Sequence, residues 1–228
     1  MYQYFILILS LVCFNVNAQN FIDHKKWKVG VGSLSLMPDI DEQLSLDGAP
    51  LSGMSFEIDT VDKLVLFTSY RFSEELSISA MITTPIKATV ELRTPISTID
   101  AIDFEALPLA LAIQYSPEVL RWNNLSPFIG VSPIYLLIQN EQLTDEFDYL
   151  ANTSFGLTNG ELAVDSEWSI LWQTGVDYHI NDNLSFRAVV MYFYGETSAT
   201  ASFDDGHQFI ADIDYKVPVY ALSLDYKI

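Results

Sequence analysis

Asn183-Leu-Ser-Phe-Arg-Ala-Val-Val-Met-Tyr-Phe-Tyr194 alternates with a period of two. Leu184, Phe186, Ala188, Val190, Tyr192 and Tyr194 fall on one face. Ser185, Arg187, Val189, Met191 and Phe193 fall on the other. That period is the signature of a β-strand. One face is apolar throughout and the other is mixed, which suits a strand with lipid outside and a barrel interior behind it.

Outward from this segment the pattern recurs. Trp168 to His179 sets Ile170, Trp172, Thr174, Val176 and Tyr178 against Gln173, Gly175, Asp177 and His179. Glu75 to Ile82 sets Leu76, Ile78, Ala80 and Ile82 against Glu75, Ser77, Ser79 and Met81. Five further strands are predicted at Trp27 to Met37, Val61 to Tyr70, Glu105 to Tyr115, Pro127 to Leu137 and Val217 to Ile228. Most have the roughly 9–11 residues that a tilted strand needs to cross a bilayer. In the first, Trp27, Val29 and Val31 are followed by Leu34 and Leu36, a change of phase that a bulge near Gly32 would produce. Pro108, Pro133 and Pro218 lie inside predicted strands, and a closed barrel has no free edge for them. They are expected at strand ends, at bulges, or beyond the lipid.

The connections alternate in length. Arg71 to Glu74, Ser116 to Ser126 and Ile180 to Asn183 are short; Pro38 to Thr60, Thr83 to Phe104, Ile138 to Glu167 and Gly195 to Lys216 are long. The expected fold is therefore all-β: an eight-stranded antiparallel up-and-down transmembrane β-barrel, with four long extracellular loops and short periplasmic turns. Trp27, Tyr70, Tyr115, Tyr178 and Tyr226 fall at the short-turn end, like an interfacial girdle. Six basic residues (Lys25, Lys26, Lys28, Arg71, Arg121 and Lys227) sit at that end too, whereas the first and third long connections are acidic. Acidic loops suit a solvated rim, or divalent cations shared with lipopolysaccharide.

Residues 1–18 read as a cleaved signal peptide: an apolar run too short to span a bilayer, closed by Val16-Asn17-Ala18. The barrel is then residues 19–228, destined for the cell outer membrane with both termini periplasmic. Cys13 falls in the removed segment, so the mature chain has no disulfide and no thiolate metal site. A net charge of −19 excludes nucleic acid as a partner. No cofactor or metal motif is present.

The residues at several of these points resemble the OmpW family. Trp27-Lys-Val-Gly30 followed by Pro38, Thr84-Pro85-Ile86-Lys87, Leu107-Pro108 with Gln114-Tyr115, and Pro127-Phe-Ile-Gly130 carry the resemblance, with Asp165-Ser166, Gln173-Thr-Gly-Val-Asp-Tyr178 and the terminal Leu224-Asp-Tyr-Lys-Ile228. Ala88 stands where the family often has His, Ser169 replaces a common Gly, Glu167 is an apparent insertion, and Ile228 ends the chain in place of Phe. The terminal residues belong to the signal read by the barrel-assembly machinery.

The resemblance implies passive uptake of small, mainly hydrophobic molecules through a narrow barrel, with release sideways into the membrane. An eight-stranded barrel holds its own side chains or one small ligand. Lipopolysaccharide blocks the direct route for apolar solutes, and release into hydrocarbon gains about 25 cal/mol per Å2 of apolar surface. Candidate solute contacts are Leu44, Leu46, Leu51, Met54 and Phe56 in the first long connection, Phe155 in the third, and Met191 and Phe193 inside the barrel. Packing onto the barrel rim is the structural alternative for each loop residue.

The competing function is a filled structural or adhesive barrel of the OmpX or OmpA type. There a polar network of Gln114, Gln173, Asp177 and Arg187, with Glu75 in reach of Arg187, would plug the lumen. The scarcity of basic residues inside strands favours the conduit. A lipid-modifying enzyme would need His207 with Ser202 and Asp204 in the fourth connection, and nothing in the sequence fixes that geometry. The expectation is no enzyme.

Overall fold

A computed structural model describes residues 26–228. The signal segment 1–18, with His24 and Lys25, lies outside the described residues. Thirteen strands form one antiparallel sheet: β1 (Trp27–Leu36), β2 (Asp39–Leu46), β3 (Ala49–Pro50), β4 (Ser55–Ile58), β5 (Val61–Arg71), β6 (Leu76–Thr83), β7 (Ile86–Arg93), β8 (Thr98–Tyr115), β9 (Leu125–Leu143), β10 (Glu161–Val164), β11 (Glu167–His179), β12 (Leu184–Ser202) and β13 (Gln208–Lys227). A single α-helix, α1 (Asp145–Phe155), lies among the described residues.

Eight strands close the ring in the order β1-β5-β6-β8-β9-β11-β12-β13, and β13 returns to β1 from Lys227 opposite Lys28 to Val219 opposite Leu36. The outward face is a band of lipid-compatible side chains. Leu222, Leu224, Leu111, Ile113, Ile129 and Leu66 are each exposed by roughly half. At the short-turn end Trp27 packs on Tyr70 at 5.0 Å, with Tyr115, Tyr178 and Tyr226 also exposed. At the other border Tyr135 packs on Trp168 at 4.9 Å, and Tyr194 is exposed nearby. Two aromatic levels bracketing an apolar band fit a bilayer.

Strand β1 has no bulge. Its pairing with both neighbours runs unbroken, with Lys28, Gly30, Gly32, Leu34 and Leu36 on the inner face. The apparent phase change arises because Leu34 and Leu36 line an apolar part of the lumen, so both faces of the strand carry apolar residues there.

The long connections are not loops in the main. The wall continues well beyond the lipid band as β-structure: β2 extends β1, β7 extends β6, β10 extends β11, and β8, β9, β12 and β13 reach up to 20 residues. Alternation persists there, but its outer face becomes acidic. On β13, Asp212 and Asp214 face out, while Phe209, Ala211, Ile213 and Tyr215 face in. Water replaces lipid outside, so charge is cheap on that face, and the strand reads as a loop when hydropathy alone is followed.

The third connection folds α1. Thr144 caps it, its hydroxyl accepting from Phe147 N at 3.2 Å; Asp145, Glu146 and Asp148 fill the first turn, and Gly156 ends it at φ 74°. These are the start and stop signals of a helix. Phe147 and Ala151, one turn apart, bury against Phe209 and Phe203 and roof the lumen.

Pro108, Pro133 and Pro218 all lie inside long strands, where pairing lapses on one side. Pro108 pairs with Leu136, but β8 makes no ladder to β6 or β7 between Ala110 and Ala106. Pro133 pairs with Ile170, while no pairing with β8 occurs between Ile134 and Val131. Pro218 pairs with Tyr192 and sits level with the Met37-Pro38 break between β1 and β2. A missing N–H costs least where no partner strand asks for it.

Candidate functional site

The lumen is divided along its length. In the upper half, toward α1, lies an apolar cavity of about 180 Å3. Leu34, Ile86, Pro108, Ile134, Met191 and Phe193 are among its walls. Beneath it, between Phe67, Met81, Phe128, Gln173 and Arg187, the free space narrows to about 20 Å3. That is room for roughly one water molecule. Below the neck a polar vestibule of about 440 Å3 opens at the short-turn end, walled by Lys28, Arg71, Gln114, Asp177, His179 and Arg187.

A buried charge cluster lies at the vestibule side of the neck, and Arg187 lines both spaces. Arg187 Nε donates to Asp177 Oδ1 at 2.7 Å, and its terminal nitrogen donates to Asp177 Oδ2 at 3.1 Å. Lys28 Nζ donates to the same carboxylate at 2.6 Å. Asp225 stands 3.3 Å from Arg187 Nε and accepts from Ser223 Oγ at 2.6 Å. Two cations face two carboxylates, so the cluster is neutral in sum, the condition under which charges can be buried. The guanidinium also lies over the Phe128 ring at 4.8 Å, where the ring's negative face attracts it. Gln114 Nε2 donates to Gln173 Oε1 at 3.2 Å beside the cluster.

The predicted lumen residues Gln114, Gln173, Asp177 and Arg187 are thus all buried and adjacent. Glu75 is not with them: it sits at the short-turn rim, accepting from Glu118 N at 2.8 Å. Its strand position beside the Arg71–Glu74 turn puts it too far down the wall to meet Arg187. Lys28 and Asp225 belong to the cluster and were not expected there. Their signal was phase: Lys28 is in step with Gly30 and Gly32, and Asp225 with Ser223.

Of the predicted solute contacts, Phe56, Met191 and Phe193 line the apolar cavity. Leu44, Leu46, Leu51 and Met54 pack in the cluster that roofs it, along with Phe147 and Leu157. Phe155, at the end of α1, is half-exposed and meets the Phe209 ring edge-on at 5.5 Å. His207 pairs with Asp47, whereas Ser202 accepts from the Gln208 amide, so His207 and Ser202 are each engaged elsewhere. Among the described residues no cluster of His, Cys, Asp or Glu could hold a metal ion.

The wall around the apolar cavity is incomplete. β5 pairs with β6 only as far as Val65 opposite Thr83, and β7 pairs with β4 and β8 but not with β5. The Thr84-Pro85 break between β6 and β7 and the Pro108 lapse in β8 adjoin this seam, and Ile86 and Pro108 line the cavity there. Elsewhere single side chains bridge gaps between strands. Glu42 accepts from Phe56 N at 2.9 Å between β2 and β4, and Ser166 accepts from Ile138 N at 3.1 Å beside β10.

A sequence profile of the OmpW family matches residues 28–228. The fold is similar to the crystal structure of the outer membrane protein OprG from Pseudomonas aeruginosa, with a TM-score of 0.76 and 22% identity over 90% of this chain and 96% of that one. It is similar to the solid-state NMR structure of outer membrane protein AlkL in DMPC bilayers, at TM-score 0.65 and 16% identity over 93% and 94% of the two chains. Outer membrane protein W of E. coli gives 0.57 and 18% identity over 90% and 98%. Comparison with curated protein sequences finds no match.

Proposed function

The chain belongs to the OmpW family and is an outer-membrane β-barrel, and on that premise we propose that it takes up small, mainly hydrophobic molecules passively and releases them sideways into the membrane. The observation that carries this reading is the division of the lumen. An apolar solute in the upper cavity meets a neck of about 20 Å3 with the paired charges of Arg187, Asp177 and Lys28 on its far side. Passing it would strip water from the cluster or force unpaired charges against an apolar surface. The incomplete wall beside Pro85 and Pro108 offers the other way out, into hydrocarbon, where burial is worth about 25 cal/mol per Å2. Phe56, Met191 and Phe193 contact the solute on this reading; Leu44, Leu46, Leu51, Met54 and Phe155 act at the roof that it crosses first.

The filled-barrel reading keeps one specific observation: a buried, charge-paired cluster of Lys28, Asp177, Arg187 and Asp225 crosses the lower lumen, as a structural barrel would have. The upper cavity is what that reading leaves without a purpose. Lipopolysaccharide surrounds the outer rim, and the closing strand ending in Tyr226 and Ile228 is the segment we assign to the barrel-assembly machinery. Residues 1–18 act as the export signal.

The test is flux across proteoliposomes with lipopolysaccharide in the outer leaflet, using an apolar probe and a polar probe of equal size. Uptake of the apolar probe above protein-free vesicles, lost in Phe56→Arg and Met191→Arg, supports the proposal. Equal rates with and without protein for both probes overturn it in favour of the filled barrel.

A further inference from the structure

The vestibule below the neck concentrates cations in an acidic chain. Lys26, Lys28, Arg71, Arg121, Arg187 and Lys227 line it, six of the 11 Lys and Arg in a sequence of net charge −19. Of the 30 Asp and Glu only Glu74, Glu75, Asp177 and Asp182 share that wall. The wall is mainly polar, and the space of about 440 Å3 opens at the short-turn, periplasmic end.

Strand phase carries Lys227 and Arg71 inward. Lys227 is in step with the buried Asp225 and Ser223, and Arg71 with the buried Ser69 and Phe67. Lys227 stands opposite Lys28, and Lys28 opposite Ser69, so Arg71 lies two residues from the same row. Like charges directly opposite each other destabilise paired strands. Asp177 and Asp225 neutralise Lys28 and Arg187. Arg71, Arg121 and Lys227 form no ion pair among the described residues. Arg121 is held by carbonyls instead, its terminal nitrogen donating to Ser116 O at 3.2 Å and to Glu74 O. Carbonyls fix a guanidinium without cancelling its charge. Of the other carboxylates on the wall, Glu75 accepts from Glu118 N at 2.8 Å, and Glu74 and Asp182 are exposed turn residues.

We infer that the vestibule binds a compact dianionic oxyanion, the chemistry of a phosphate group, carried by a small soluble molecule that enters from the periplasm. The inference goes beyond the uptake reading and does not depend on it, because the neck separates the vestibule from the apolar cavity. Guanidinium forks match the paired oxygens of a phosphate, and a lysine adds a point charge beside them. Arg121 reaches the β5–β6 turn that follows Arg71, so the two guanidinium groups belong to one side of the mouth. A dianion would offset two of the three uncancelled charges and ease the repulsion between Lys227 and Lys28. The volume leaves room for the rest of a small ester beside the phosphate. These side chains face the lumen and not the bilayer, which favours a soluble anion over a lipid headgroup.

The test is an NMR titration in phosphatidylcholine nanodiscs at mildly alkaline pH and fixed ionic strength, with inorganic phosphate and, separately, chloride. The guanidinium carbon signals of Arg71 and Arg121 report the vestibule, and the Met191 methyl signal reports occupancy of the upper cavity. Phosphate is expected to give a saturable shift at the vestibule, at least about tenfold tighter than chloride, while Met191 stays in place. Read from Arg121, Arg71→Gln and Lys227→Gln should each weaken phosphate binding by about fivefold to tenfold. Lys63→Gln removes a charge near the opposite end of β5 and should leave binding within about twofold. Retained heat-modifiable mobility on gels shows that the variants keep the barrel. Shifts that do not saturate, equal responses to phosphate and chloride, or an equal loss in Lys63→Gln overturn the inference. So does a guanidinium shift that appears without phosphate when phosphatidylglycerol replaces phosphatidylcholine and that phosphate leaves unchanged, because a lipid headgroup is then the occupant. The uptake reading stands in each of these cases, since apolar-probe flux tests it separately.

Discussion

Asp225 occupies the space that a side chain on Gly30 would need: a Cβ at Gly30 would lie 2.0 Å from Asp225 Oδ1. The two residues face each other across the β1–β13 seam, where the barrel closes. Gly30→Ala must therefore push Asp225 off Arg187 and Ser223. The expected loss is about 3–5 kcal/mol, the scale for breaking a buried pair. Urea-induced unfolding in lipid vesicles measures it, and a variant as stable as the parent would show that Asp225 has room to move.

The charge cluster should respond as a unit. Arg187→Met leaves Asp177 and Asp225 with Lys28 as their only cation, and is expected to destabilise by about 3–5 kcal/mol. Adding Asp225→Asn restores a one-to-one balance between Lys28 and Asp177. The double variant should recover a substantial part of that loss. Strict additivity of the two substitutions in the same unfolding assay would mean that the four charges act independently.

Thr144 holds the N-terminus of α1 by accepting from Phe147 N, and its hydroxyl also donates to Asp100 O. Thr144→Ala should cost the helix about 1 kcal/mol. Hydrogen exchange should quicken in α1 while the amides of β11 and β12 stay protected. Because α1 roofs the cavity, apolar probes should also reach Met191 faster in this variant.

The pairing of His207 with Asp47 joins the β12–β13 hairpin to the β2–β3 turn, and Asp47 also accepts from Gln208 N at 2.9 Å. The hydrogen bond and charge of Asp47 hold His207 above the ordinary histidine value; Gln208 N, then His207, hold Asp47 below the ordinary carboxylate value. A raised histidine contributes fully below its unfolded pKa, and its contribution disappears as pH rises through the raised value. A lowered aspartate contributes above its unfolded pKa and loses that contribution as pH falls through the lowered value. The link should be complete in the mildly acidic range between the two and weaken on either side. NMR titration of the His207 ring gives the midpoint; Asp47→Asn should bring it down, and an unchanged midpoint would refute the pairing.

At Pro108 the wall lacks a backbone donor where β8 makes no ladder to β6 or β7. Pro108→Val supplies the donor and a β-branched side chain suited to a strand. Loss of apolar-probe flux without loss of Met191 occupancy is expected, since the exit is tightened and the cavity kept. Unchanged flux would move the exit to another gap.

The wall within the lipid was legible because lipid imposes one rule on every outward residue. In Leu184 to Tyr194 that rule left alternation intact, and the inner faces of β6, β11 and β12 followed from it. Above the lipid the rule changes. Asp212 and Asp214 face water, so hydropathy no longer marks the outer face, and strand passed for loop. In β1 the inward Leu34 and Leu36 mimicked a bulge because the upper lumen is itself apolar. Arg187 with Asp177, Gln114 and Gln173 could be read as a lumen set from phase. Lys28 and Asp225 could not be separated from ordinary rim charges, because each stands one or two residues from a strand end. Their burial depends on the ring closing over them, and on Gly30 leaving the space.

The pairing of β1 with β13, completed by Ile228 N donating to Trp27 O, joins residues about two hundred positions apart. Until that seam is made, the sheet carries two open edges whose backbone groups hydrocarbon cannot satisfy. A half-assembled curl of four or five strands is then no resting state in a bilayer. The Lys28–Asp177 and Lys28–Asp225 contacts both tie β1 to strands on the far side of that late seam, so the interior cluster gains its second cation, and its charge balance, only as the cylinder shuts. Closure, plugging and membrane residence become a single event, and the chain is either wholly a barrel or not yet one.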